Sequence, residues 1–175
     1  AGLQWVNSDA ERVAAVRAFR LRSTKAATRA KAATPHLFDE RRQPTTEYLG
    51  IPRHVGETRE FFTAKRLPPE VICGDANFMV EDHDGFALGI LSSTMFILWM
   101  RGVGGRLESR LRFSNTFVYN AFPLPEISSQ RRAALIAAAA QLTAAREQFP
   151  EKSLADLYEP GPSPDPVLAA HATID

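Results

Sequence analysis

The chain has a single cysteine, Cys73, and therefore neither a disulfide framework nor a thiolate cluster for zinc. Its four histidines, His36, His54, His83 and His171, are scattered, and no spacing sets two of them on one metal, so no metal site is expected. No apolar run reaches the ~18 residues that a membrane span needs. The longest, Phe86 to Met100, is interrupted by Ser92, Ser93 and Thr94. The opening Ala-Gly-Leu-Gln-Trp-Val lacks a basic region followed by an apolar stretch, so no signal peptide is visible. With the abrupt ending Thr-Ile-Asp, it reads as a segment of a longer chain. These absences suit a reducing cytosol.

What is present is an ordinary globular composition: 175 residues, 45% hydrophobic, net charge +1. That is one domain, or one domain with an appendage. The small total hides a gradient, because residues 1–70 hold 13 basic against 8 acidic side chains while residues 126–175 hold 4 against 7. A modestly basic amino-terminal part suits phosphates, and it equally suits a solvated helix face. Composition does not decide the function.

Asp9 or Ser8 caps a helix that runs through Val13, Val16 and Phe19 to about Thr24. Lys25 to Thr34 has no large apolar side chain and reads as a solvated helix extension or a mobile basic loop. Tyr48 to Val55 reads as a strand, which Pro52 sets at an edge or ends early. Phe61-Phe62-Thr63 is a second short extended piece, and Leu67-Pro68-Pro69 turns the chain. Val71-Ile72-Cys73 and Phe78-Met79-Val80 read as strands around the polar kink Gly74-Asp75-Ala76-Asn77. Asp82 to Gly85 is a turn. Ser92 or Ser93 then caps a helix that is apolar nearly all round and ends at Val103, with Gly104 and Gly105 beyond. Trp99 and Phe96 belong to the core, and Cys73 is a small buried apolar side chain. Pro123 and Pro125 mark a domain boundary. An alanine-rich helix, Gln130 to Phe149, follows, then a short turn at Ser153 to Tyr158, a stiff Pro160-Gly161-Pro162-Ser163-Pro164 linker and a final helix from Asp165.

Gly105 to Ser114 holds the most chemical information. As one strand, period two places Leu107, Ser109, Leu111 and Phe113 on one face and Arg106, Glu108, Arg110 and Arg112 on the other. Arg makes a bidentate bond to guanine O6 and N7, and Glu accepts from cytosine N4. Glu108 and Arg110, two residues apart, have the chemistry to read both halves of one C·G pair. A solvent-facing strand with neutralised charges fits the same pattern.

The succession Tyr48-Leu49-Gly50-Ile51-Pro52-Arg53, Ile72-Cys73-Gly74-Asp75, Phe86 to Met95, Trp99-Met100-Arg101, Gly105 to Arg110 and Val118-Tyr119-Asn120-Ala121-Phe122-Pro123-Leu124-Pro125 resembles a known one. It is similar to the target-recognition domain of MmeI-like restriction-modification enzymes, large DNA adenine-N6 methyltransferases. Leu157-Tyr158-Glu159-Pro160 and Ala169-Ala170-His171 resemble the helical tail that follows that domain. The resemblance implies that Glu108 and Arg110 choose a base pair beside the methylated adenine. Relatives with Lys and Asp there would read the reversed pair, so Glu-Ser-Arg implies C on the methylated strand. It further implies that Arg112 reads a neighbouring pair and that Ala76 and Asn77 line the groove. The S-adenosylmethionine site and the Asn-Pro-Pro-Tyr/Phe motif of the family belong to a separate domain. Neither occurs here, and Gly102-Val103-Gly104-Gly105 lacks the Lys-Ser/Thr of a phosphate loop, so no cofactor and no methylation are expected of this segment alone.

The expected fold is α+β: a mostly antiparallel mixed sheet with packed helices over residues 1–126, then a small helical segment over 127–175. The expected partners are double-stranded DNA, through the major groove, and the methyltransferase domain of the same chain. A monomer in the bacterial cytoplasm, associated with the nucleoid, completes the expectation. Arg53, His54, Arg59, Lys65, Arg66 and Arg106 are candidates for gripping phosphates, as more weakly are Lys25, Arg29 and Lys31. The rival reading is a scaffold module whose alanine-rich helix packs closely on protein. A scaffold tolerates Ser at positions 110 and 112; a reader does not.

Overall fold

A computed structural model describes residues 9–39, 41–159 and 164–175. Ser8 as a helix cap and the linker residues Pro160 to Ser163 lie outside the described residues. The chain divides into two compact units, Ala1–Arg42 and Gln43–Asp175.

In the first unit, α1 (Asp9–Leu21) carries Asp9 and Glu11 in its first turn and Arg20 in its last, which matches the helix dipole. The chain breaks after α1 and resumes as α2 (Ala26–Ala30) and a 3₁₀ turn (Lys31–Ala33), neither an extension of α1 nor a loop. Arg20 explains the compactness, donating to the carbonyls of Lys31 (2.8 Å), Thr34 (3.0 Å) and Leu37 (2.9 Å). Arg29 donates to the carbonyls of Ser23 and Thr24, and Lys31 pairs with Asp39. These cations fold the unit on itself.

The second unit contains two small antiparallel sheets and the helices that cover them. The strands β1 (Tyr48–Pro52), β3 (Lys65–Leu67) and β4 (Asn77–Val80) form one sheet in the order β3-β1-β4. The strands β2 (His54–Val55), β5 (Gly105–Leu107) and β6 (Arg110–Arg112) form the other in the order β2-β6-β5. The expected strand from Tyr48 to Val55 is thus split at Arg53 between two sheets. Pro52 does not make β1 an edge strand: the pairing with β3 stops at Gly50, so the missing N–H at Pro52 falls beyond its reach. Two other expected strands are absent. The ladder begins at Lys65 rather than at Phe61, because Phe62 is spent on the core. Val71 and Ile72 are exposed and unpaired in the sheets, Val71 closing a turn onto the Pro68 carbonyl (3.1 Å).

Ser93 caps α4 (Thr94–Val103), its hydroxyl accepting from the Phe96 N–H at 3.1 Å. The helix is only half core: Phe96, Ile97 and Met100 are buried, whereas Met95 and Leu98 are exposed. A second helix, α3 (Phe86–Ser92), precedes it with a 64° bend between the two. The buried Asp82 carboxylate nucleates α3 by accepting from the N–H groups of Ala87 (3.1 Å) and Leu88 (3.0 Å). Among the described residues no single helix is long and apolar enough to cross a membrane.

The segment after residue 126 packs on what precedes it. α5 (Ser129–Glu147) lies against α3 at Gly89, where a Cβ would come within 2.8 Å of Leu135. α6 (Leu154–Leu157) starts with a reciprocal Ser153–Asp156 capping box. α7 (Asp165–Ile174) docks through His171, which stacks on Phe61 at 3.7 Å. Its Nδ1 meets the Ser92 carbonyl at 2.9 Å, and its Nε2 meets the Tyr158 hydroxyl at 2.6 Å. Because a carbonyl only accepts, Nδ1 carries the proton and Nε2 accepts from Tyr158. Arg146 donates to that hydroxyl (2.9 Å) and to the Ala64 carbonyl (2.8 Å). Burial, with Arg146 nearby, pulls the His171 pKa down to about 4.

Candidate nucleic-acid interface

The informative segment is a hairpin, not one strand. β5 and β6 pair with Gly105 opposite Arg112, Arg106 opposite Leu111 and Leu107 opposite Arg110, leaving Glu108-Ser109 as a two-residue turn. Glu108 has φ of 56°, and among the described residues it is the non-glycine with positive φ. Tight hairpin turns need such a conformation and usually obtain it from Gly or Asn. With Glu-Ser in the turn, the sequence gives no turn signal.

The turn rearranges the two faces. Directly opposed residues share a face, so Arg106, although exposed, lies on the face of buried Leu111 and donates to the Arg101 carbonyl (3.2 Å). Leu107, expected inside, lies outside with Arg110 and Arg112 and is 45% exposed. The expected row Arg106, Glu108, Arg110, Arg112 therefore loses its first member. At the tip, Arg110 donates to the Glu108 carboxylate at 2.9 Å, both side chains being largely exposed.

The same alternation extends to the other sheet. His54 is opposite Arg112 and Val55 opposite Leu111. Pro52 is opposite Asn77, and Ile51 opposite Phe78. One face thus carries Ile51, Phe78, Val55 and Leu111 into the core. The other carries Asn77, His54, Arg112 and Arg110, of which Asn77, Arg112 and Arg110 are exposed. Arg53 joins the sheets: its N–H donates to the Ala76 carbonyl (2.9 Å), and its carbonyl accepts from the Phe113 N–H (2.8 Å). Beneath, Phe113 anchors the hairpin among Phe78 (5.4 Å), Phe62 (5.5 Å), Tyr119 (6.3 Å) and Phe96 (6.4 Å). The kink residues and the hairpin, distant in sequence, are brought together on this face.

The remaining cations are not. Arg66 lies on β3, on the opposite flank of β1 from Asn77, where it donates to the Asp82 carbonyl and faces Glu47 at 3.5 Å. Lys65 is beside it and lines a cavity of about 330 Å³ with Arg146 and Lys152. Arg59 donates to the Ala155 carbonyl (3.1 Å). Cys73 is partly rather than fully buried, and burial raises its thiol pKa. Tyr119 packs on Phe113, while Asn120 is exposed.

Residues 3–126 match the MmeI target recognition domain, and residues 127–175 match the MmeI C-terminal domain. The chain belongs to the MmeI target recognition domain family. Its fold superposes with a TM-score of 0.84, at 40% identity and over 93% of this chain, on the Type IIL restriction-modification enzyme MmeI in complex with DNA. It is 30% identical over 165 residues (94% of this chain) to DNA methyltransferase A of Bacillus subtilis (strain 168). The chain spans about a fifth of the length of these relatives, 22% of the first and 19% of the second.

Proposed function

We propose that this chain is the sequence-reading module of a DNA adenine-N6 methyltransferase of the restriction-modification type, reading duplex DNA in the major groove. The observation that carries this reading is the sorting of the faces. Asn77, His54, Arg112 and Arg110 share one surface with Glu108 at its tip, and the other surface holds the hydrophobic core. Such a fixed polar surface on a packed support is what base readout requires. In this reading Glu108 accepts from cytosine N4 while Arg110 bonds guanine O6 and N7 of the same pair. Arg112 reads the next pair, and Ala76 and Asn77 line the groove beside it. His54, Arg59, Lys65, Arg66 and Arg106 meet phosphates in this reading, contacts that position without selecting.

The module carries out no chemistry in this reading. Gly102 to Gly105 do not fit a cradle for S-adenosylmethionine: Gly104 closes α4 through its N–H to the Met100 carbonyl (2.9 Å), and a Cβ there would collide with that carbonyl. The cofactor and the flipping of the adenine belong to the rest of the full-length protein, a cytoplasmic monomer whose methyltransferase domain this module aims. The small side chains of α5, the feature that favoured a scaffold, are used internally: Ala138, Ala139 and Ala145 are buried within this unit.

Affinity tests the proposal. In the full-length protein, Arg110→Ser or Arg112→Ser should weaken binding to the cognate duplex about tenfold or more, since one bidentate base contact contributes about 1–3 kcal/mol. Binding to random duplex should change far less. Equal cognate affinity in wild type and both variants would favour the scaffold.

A further inference from the structure

We infer that Arg53 is a positioning residue for base choice rather than a phosphate grip, an inference that rests on the DNA-reading proposal above. Arg53 is the half-buried bend between β1 and β2, and its side chain turns to the face of Phe78, opposite the face of Asn77. Its guanidinium lies over the Phe78 ring, 4.7 Å from the centroid, and its Nε is buried with no acceptor. On its open side it faces the carboxylate of Asp75, in the kink, at 3.8 Å. Its main chain is held on both sides, by Ala76 of the kink and by Phe113 at the hairpin base. Phe78 and Phe113 are themselves in contact, with ring centroids 5.4 Å apart. One residue thus ties the kink, the hairpin and the aromatic support together. The side chain acts through its neighbours, fixing the spacing between Ala76-Asn77 and Arg112.

The test uses the full-length protein with Arg53→Met and Arg53→Lys. Two quantities are read: methylation rates on the cognate duplex and on all its single-pair variants, and the salt dependence of DNA affinity. Arg53→Met should relax discrimination about tenfold at the pairs whose preference also changes in Asn77 variants, while the pair read by Glu108 and Arg110 stays strict. The salt slope should not change, and Arg53→Lys, which keeps a cation over Phe78 and beside Asp75, should restore most of the discrimination. A phosphate grip instead loses about one unit of slope with discrimination intact, and that result overturns the inference. So does wild-type behaviour of Arg53→Met in both readouts. Should Arg53→Met not fold, Asp75→Asn substitutes, with discrimination at the same pairs reduced severalfold; unaltered discrimination there counts against the inference. A wild-type protein with no preferred sequence would refute the DNA-reading proposal itself, a result separate from these.

Discussion

The hairpin β5–β6 and the docked tail α5–α7 both depend on charged and polar side chains, and they use them in opposite ways. In the tail, Arg146, Tyr158 and His171 are linked donor to acceptor with the ring of His171 fully buried, and Arg146 Nη2 is left buried without a partner. In the hairpin, Arg110 and Arg112 are exposed, and Glu108 holds a strained backbone and pairs its carboxylate with Arg110 at the surface. Buried donors and acceptors joined in this way bind the tail to one arrangement. Exposed pairs contribute little to stability and leave their bonding capacity for something else. Positive φ at a non-glycine is the sort of cost that persists where function requires it. On the proposed reading, the comparison separates stability from recognition by region.

Breaking the tail should therefore cost the most stability. His171→Ala removes a buried ring, leaves the Ser92 carbonyl without its imidazole donor and takes the acceptor from the Tyr158 hydroxyl proton, while Arg146 still donates to that hydroxyl. A loss of about 3 kcal/mol is expected, seen as a fall of roughly 10 °C in Tm. Base choice by whatever remains folded should be unaltered.

Acid probes the same network without mutation. The unfolded chain binds a proton at His171 near pH 6.5, the native state only near pH 4. Between those values the unfolded state holds more protons, so stability falls as pH drops through this window and levels off below about 4. The full effect is about 3 kcal/mol, measurable by urea titration at pH 7, 5 and 4. His171→Gln should lack this component; an equal pH dependence in that variant would show that His171 is not its source.

At the hairpin the signs differ. Glu108→Gly relieves the positive φ and should raise stability by about 0.5–1 kcal/mol while erasing the preference at its base pair. Loss of stability would mean that the turn is not strained. Smallest of all, Arg110→Ser and Arg112→Ser should shift stability by no more than about 0.5 kcal/mol, despite their large effect on DNA affinity.

The sequence revealed these regions unequally, for physical reasons. Ser93 announces a helix start through a cap that forms as expected, whereas the caps at Ser128 and Ser153 come from the structure. α3 carries no such signal in sequence: Gly85 stands at its N-cap, and the carboxylate that accepts from its first turn, Asp82, lies four residues before the helix in a stretch that reads as a turn. The hairpin reads as one strand because Glu-Ser carries no glycine or asparagine to signal positive φ, and period two then sets Arg106 and Leu107 on the wrong faces. The chemistry of Glu108, Arg110 and Arg112 needed no fold to be recognised. What no periodicity contains is the long-range pairing of Asn77 with Pro52 and of His54 with Arg112, which assembles the face. Resemblance to the family linked the kink and the hairpin before geometry did.

The most direct measurement is single-molecule methylation sequencing of DNA from a methylation-free bacterial host expressing the full-length protein, alongside its Glu108→Lys, Arg110→Asp double variant. The wild type should give one asymmetric motif with N6-methyladenine followed by C, and the double variant the same motif with G in place of that C. An unchanged motif in a soluble, active double variant would contradict the assignment of Glu108 and Arg110 as the readers.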